Sequence, residues 1–372
     1  MLLEIVITTL LAVTTLVVSK IYISPLETPQ SPSLSEKTKA LDEWLKELAN
    51  SGKFNGVVLI ARNNKILFAN GYSSASIDPM YRVSTDDIFN LASVSKSYTA
   101  LGVLLLLERG EINLDDSISR YLDGFEHFSA NTIRHLLHHT SNLPEYLHVM
   151  SDFGSEKYIN NEKIISVLRE STPLRIDPGT RFEYCNSGYV LLATIVERVS
   201  SLSFENYMNK IFTKARLENT LVFDAVKVSN VKRALGFKKK FFLWGKVEPH
   251  DLSPLDGIVG DGGIYSNARD IFKFHKALNE GHILSKNILK DFVSPQGLPN
   301  GSNYGFGWFK NEDGSIEHPG GWQGFASFVY SIPERGDLIV ILDNSQNILR
   351  VTTRGTKYNS IGKNLISFLK SF

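Results

Sequence analysis

Ser93-Val94-Ser95-Lys96-Ser97-Tyr98-Thr99-Ala100, running into the apolar stretch Leu101 to Leu107, decides how the rest of the chain is read. Val103 to Leu107 leaves the helix that begins here apolar on nearly every side, and such a helix belongs in the middle of a molecule. It runs to Arg109 and stops at Gly110, a residue suited to the left-handed turn after a helix. If Ser93 starts it, Lys96 lies one turn further along on the same face. A hydroxyl and an amine are then held side by side, as a nucleophile beside a base, at the positive end of the helix dipole. The spacing alone is weak, because Ser-x-x-Lys recurs at Ser229, Ser360 and Ser367. Ser360 and Ser367 fall in a terminal helix and Ser229 in a polar loop, so Ser93 alone has a buried helix to hold it rigid.

Around this helix the pattern changes twice. Leu41, Trp44, Leu45 and Leu48 recur at helical spacing, and Gly56 to Ala61 with Lys65 to Ala69 read as a hairpin turned at Asn63-Asn64. From Glu111 to about Gly260 helical spacing prevails, at Asn131 to His139, Lys163 to Glu170, Gly188 to Ser200 and Phe204 to Phe212. Phe237 to Lys246 interrupts it as a basic, aromatic hairpin. Gly260-Asp261-Gly262-Gly263 reads as a close backbone approach before the helix Ala268 to Leu278. Strands return at Gly305 to Phe309, Gly324 to Ile332 and Leu338 to Asp343, before a last helix at Gly362 to Phe372. The fold class is therefore α/β of the α+β kind: an antiparallel sheet built from both chain ends, flanked by helices, with an all-α lobe inserted at about 111–260.

Composition excludes several functions. The 372 residues carry 40 basic and 39 acidic side chains, a net charge of +1, so no global field draws the chain to nucleic acid. An apolar share of 42% with 21% charged residues is that of a globular protein with a real core. The single cysteine, Cys185, rules out an intrachain disulfide and a cysteine metal cluster and reads as a buried packing residue. His135, His138 and His139 have no acidic neighbour in sequence and are not read as metal ligands. No cofactor is called for.

Ile5 to Val18 is uncharged and has the length of a signal-peptide core; continued to Ile23 past Lys20 it approaches a membrane span. Residues 1–23 are thus a cleaved signal or a retained anchor, residues 24–35 a Pro/Ser-rich linker, and residues 36–372 the folded domain. Export, to the periplasm or the cell exterior, follows from either reading.

Two further motifs stand downstream of Ser93. Tyr184-Cys185-Asn186 follows the turn Asp177-Pro178-Gly179; its tyrosine can exchange protons with a serine and its amide can hold a carbonyl. His318-Pro319-Gly320-Gly321-Trp322 holds the one His-x-Gly among nine histidines, with glycines ahead of a strand that let backbone N–H groups approach a substrate. In this order, and with Leu136 to Pro144, Gly188 to Leu192 and Gly262 to Ser266, the chain resembles the serine β-lactamase and penicillin-recognising hydrolases.

The resemblance implies a β-lactamase-like fold over 36–372, Ser93 as the acylated nucleophile, Lys96 as its amine and Tyr184 as a general base. It further implies Asn186 as a substrate ligand, His318 to Gly321 as the opposite wall, and the N–H groups of Ser93 and Gly321 as the oxyanion hole. His318-Pro319-Gly320 replaces the Lys-Thr-Gly usual in β-lactamases and D,D-peptidases, losing a fixed charge for a carboxylate. That moves the expected substrate from β-lactams to esters, small amides or cell-wall peptides, in the manner of the family's esterases and D-aminopeptidases. A penicillin-binding receptor that acylates without turnover, or a β-lactamase, is the alternative. Asn142 stands where the family often has Gly, which suits a left-handed backbone.

Overall fold

The computed structural model describes residues 23–27, 33–78, 80–150, 156–241, 244–293, 298–299, 301–345 and 360–372. Segment 1–22, the bulk of the expected signal or anchor, lies outside the described residues.

Strands β1 (Gly56–Arg62) and β2 (Lys65–Tyr72) form the expected hairpin, with Asn63 and Asn64 both at positive φ in its turn. Further strands are β3 (Phe89–Asn90), β4 (Leu221–Val222), β5 (Phe237–Phe241), β6 (Trp244–Pro249), β7 (Ile264–Ser266) and β8 (Phe309–Lys310). The last three are β9 (Ile316–Trp322), β10 (Phe325–Ile332) and β11 (Asp337–Asp343). The main sheet has the order β2-β1-β11-β10-β9-β8, all antiparallel, so the two ends of the chain meet at the β1–β11 pair. A second small sheet, β3-β7-β4, sits beside the helix that carries Lys96.

The main sheet is covered on both faces. Val58, Ile60, Phe328, Ile339 and Ile341 pack against Leu41, Trp44, Leu45, Ile361, Leu365 and Phe368 of the first and last helices. Their neighbours Val57, Leu59, Val329, Val340 and Leu342 face the other way, towards Leu101, Leu104 and the helical lobe. This two-sided burial explains why β11 reads as an unbroken apolar run rather than an alternation. The Ser95–Glu108 helix is buried from Ser95 through Leu104 and packs on the Asn186–Ser200 helix, as its all-round apolar character requires.

Three sequence expectations change. His318 to Gly321 lies inside β9 rather than ahead of a strand. Pro319 and two glycines argue against a strand, but β8 pairs with Ile316 and Glu317 and not with Pro319, so the missing N–H of Pro319 is tolerated on that edge of β9. Gly305 to Phe309 forms a strand only at Phe309–Lys310. The linker is not free of the domain: Trp44 Nε1 donates to the Ser24 carbonyl at 3.0 Å, Leu26 N–H donates to Asn364 Oδ1 at 2.7 Å, and Ile23, the last residue of the expected signal or anchor, is fully buried beside them. Two apolar side chains suffice there because the first and last helices already supply a groove with polar partners. The first helix then starts at Leu34, capped by Ser33.

Candidate active site

The buried helix begins at Ser95, not Ser93. Ser93 occupies a 3₁₀ turn, Ala92–Val94, laid on the helix N-terminus, and Ala92 holds φ +48°. A non-glycine residue in the left-handed region is strained by about 1–2 kcal/mol. The turn is held there by its neighbours: Ala92 N–H donates to Asn90 Oδ1 at 2.8 Å, and Asn90 Nδ2 donates to the Tyr265 hydroxyl at 3.0 Å. Ser93 is left partly exposed among buried residues.

Lys96 is fully buried, and its three donors have three acceptors. Nζ donates to Ser93 Oγ at 3.2 Å, to Asn186 Oδ1 at 2.8 Å and to the Asp261 carbonyl at 2.8 Å. The Ser-x-x-Lys pairs at Ser229 and Ser360 do nothing comparable. Ser360 Oγ accepts from the Lys363 N–H as a helix cap, and Ser229, in a short helix rather than a loop, bonds the Ala225 carbonyl.

The Tyr184 motif converges on the same lysine. Asn186 starts a helix, its N–H donating to Glu145 Oε2 at 2.6 Å. The Tyr184 ring lies 4.9 Å from Lys96 Nζ and 4.2 Å, centroid to centroid, from the His139 ring. His139 is buried, with Nδ1 3.1 Å from both the N–H and the carbonyl of Cys185. Burial, reinforced by the charge of Lys96, holds it well below the usual histidine range, so it stays neutral. Cys185 is packed beneath, its thiol pushed up to about 12 by burial. Asn142 takes φ +54°, the left-handed backbone expected of it, and its amide donates to the carbonyls of Ile176 and Asp177.

The β9 strand supplies the facing wall, and here one expectation is corrected. His318 does not line the open cleft. It is buried behind the strand, its Nδ1 donating to the Pro319 carbonyl at 2.6 Å and its Nε2 accepting from the Tyr304 hydroxyl at 2.9 Å, with its ring 6.4 Å from Tyr184. Gly320 instead makes the closest approach. A Cβ there would stand 2.4 Å from the Leu91 carbonyl oxygen, 2.3 Å from Ser327 Oγ and 3.1 Å from the Ser93 nitrogen. Gly321 and Trp322 then line the cleft together with Asn90, Ser93, Tyr146, Asn186, Asp256 and Asp261. Gly320→Ala is expected to cost about 1–3 kcal/mol by overpacking and to lower kcat/KM by at least about tenfold, because strand and nucleophile turn must separate. Thermal unfolding beside ester kinetics checks it; an unchanged Tm and rate would contradict the contact.

Glu145, Asp261, Asn90 and Ala92 carry no motif and went unmarked in the sequence. The one signal was Gly260-Asp261-Gly262-Gly263, whose first glycine does make the close approach, at φ +110° with a Cβ that would meet the Tyr189 carbonyl at 2.4 Å.

A buried lysine on a partly exposed serine, fixed by three elements distant in sequence, is an arrangement able to generate and stabilise an attacking oxygen. The sequence profile described as Beta-lactamase matches residues 41–357. The chain belongs to that family. Penicillin-binding protein 4* of Bacillus subtilis (strain 168) is 33% identical over 327 residues, covering 83% of this chain and 72% of that relative. The octameric penicillin-binding protein homologue from Pyrococcus abyssi is 26% identical with a TM-score of 0.72, over 83% of this chain and 74% of its own. The D-amino acid amidase from Ochrobactrum anthropi SV3 shares the fold, with a TM-score of 0.70 at 22% identity, over 89% and 97% of the two chains. The chain is thus a β-lactamase-related serine hydrolase with a β-lactamase-like fold.

Proposed function

We propose that the protein cleaves an ester or a small amide through an acyl-enzyme on Ser93. The contact of Lys96 Nζ with Ser93 Oγ carries the reading. Ser93 Oγ attacks the acyl carbon as the Lys96–Tyr184 pair, with one of its members deprotonated, takes the serine proton, and the bond to the leaving alcohol or amine breaks as the pair hands that proton to it. Water then adds to the acyl-enzyme and releases the acid, restoring Ser93. Because Asn186 Oδ1 accepts from Lys96, its amide nitrogen remains to donate to a substrate carbonyl in the cleft it lines. The N–H groups of Ser93 and Gly321 are the oxyanion donors in this reading, supported by the approach of Gly320 to the Ser93 nitrogen. Export and membrane attachment both rest on the apolar run Ile5 to Val18; among the described residues no helix is long and apolar enough to cross a membrane.

Continued release of p-nitrophenol from p-nitrophenyl acetate, far beyond one equivalent of protein, is the expected result. A single stoichiometric burst would replace the hydrolase with a receptor that acylates and stalls. A missing carboxylate beside the serine would favour stalling, but Glu145 accepts from the Asn186 N–H and Asp261 is among the residues lining the cleft.

A further inference from the structure

The cleft beside Ser93 has an unbalanced set of charges. Two carboxylates, Asp256 and Asp261, are among its lining residues, and none of those residues is a lysine, arginine or histidine. Lys96 stands behind the wall with all three donors engaged, His318 is turned away into Tyr304, and a third carboxylate, Glu145, lies behind Asn186. A substrate carboxylate entering here would meet negative charge and find no cation among the described lining residues to receive it.

The two lining carboxylates differ. Asp256 is committed to the protein, accepting from Trp322 Nε1 at 2.9 Å and from the Ser253 N–H, and so it props the indole against the cleft. Asp261 accepts from the Tyr146 hydroxyl at 3.1 Å through Oδ2 and is helped by the N–H groups of Asp261 and Gly262. Its own carbonyl binds Lys96, so the residue stands two hydrogen bonds from the attacking oxygen. That places its side chain near the first atoms of an acyl group rather than at the far end of a long substrate. Tyr146 and Trp322 line the same cavity, and aromatic faces favour cations over anions.

We propose that Asp261 selects acyl groups bearing a protonated amine close to the scissile carbonyl, and that substrates bearing a carboxylate there are excluded. The inference rests on the hydrolase reading above and names its substrate class: aminoacyl esters or amides. Burial pushes the Asp261 carboxyl up from the usual carboxylate range against the pull of Lys96, which is the state of an acid with too little positive charge around it. A bound ammonium supplies that charge.

Three benzyl esters of one shape test it: benzyl alaninate in both enantiomers, benzyl isobutyrate, and benzyl hydrogen methylmalonate, which place an ammonium, a methyl or a carboxylate on the same carbon. Benzyl alcohol release is followed below neutral pH with the full-length protein and with Asp261→Asn. The better alaninate enantiomer is expected to exceed the isobutyrate in kcat/KM by at least about tenfold, and the methylmalonate by at least about a hundredfold. In Asp261→Asn the alaninate-to-isobutyrate ratio is expected to fall to within about threefold of unity. The ratio is the readout, since damage to Lys96 lowers both rates together. A wild-type ratio at or below unity, or a ratio that survives Asp261→Asn, overturns the proposal while leaving the hydrolase standing. Turnover of none of the esters overturns both.

Discussion

Replacing Ser93 with alanine removes at least about 10⁴-fold of kcat on any ester the protein turns over, and leaves its thermal stability within about 1 kcal/mol of the parent. The two halves of this expectation have different sources. The hydroxyl is the atom that forms the acyl bond, and what survives its loss is the smaller contribution of oxyanion donors and binding. The fold should not notice, because Ser93 is partly exposed and its side chain's contact is with Lys96, which keeps Asn186 Oδ1 and the Asp261 carbonyl. Kinetics and calorimetry on the same sample check both. An inactive protein that has also lost its unfolding transition would say nothing for the nucleophile, whereas a folded and active Ser93→Ala would remove it from the mechanism.

Lys96 gives the second large effect, and two substitutions separate its charge from its proton chemistry. Lys96→Met should lower kcat by about 10³-fold, within the range for losing a positioned acid or base. It should also destabilise, since the buried Asp261 carbonyl and Asn186 Oδ1 each lose a donor at about 1–3 kcal/mol apiece. Lys96→Arg keeps the positive charge but cannot give up a proton, and the guanidinium does not fit a site built for three tetrahedral donors. It is expected to be as inactive as the methionine variant. An arginine variant retaining a tenth or more of the parent rate, about a tenfold loss at most, would reduce Lys96 to an electrostatic role.

How much of this could be read beforehand depended on how local each signal was. The buried helix announced itself through Leu101 to Leu107, and β1, β10 and β11 through their β-branched and aromatic runs, because burial on one or two faces writes a pattern into adjacent residues. Ser93, Lys96, Tyr184 and Asn186 were found as motifs and do converge on one lysine amine. β9 was missed as a strand, since Pro319 is permitted only by the short length of β8, a fact about another segment. His318 was assigned to the open wall by analogy of position, but Tyr304, fourteen residues earlier, captures its ring. Glu145 had no pattern at all, and Asp261 stood only inside a glycine-rich stretch that signalled a close backbone approach rather than a carboxylate. Their importance arises from where Gly260 and the Asn186–Ser200 helix bring them, and no sequence window contains that.

The central claim is that Ser93 is the residue acylated. A fluorophosphonate probe, applied to the full-length protein and followed by digestion and peptide mass mapping, tests it most directly. One adduct is expected, on Ser93, forming in parallel with loss of esterase activity and absent from Ser93→Ala. An adduct on Ser229, Ser360, Ser367 or any other serine, or complete inhibition with Ser93 unmodified, would contradict it.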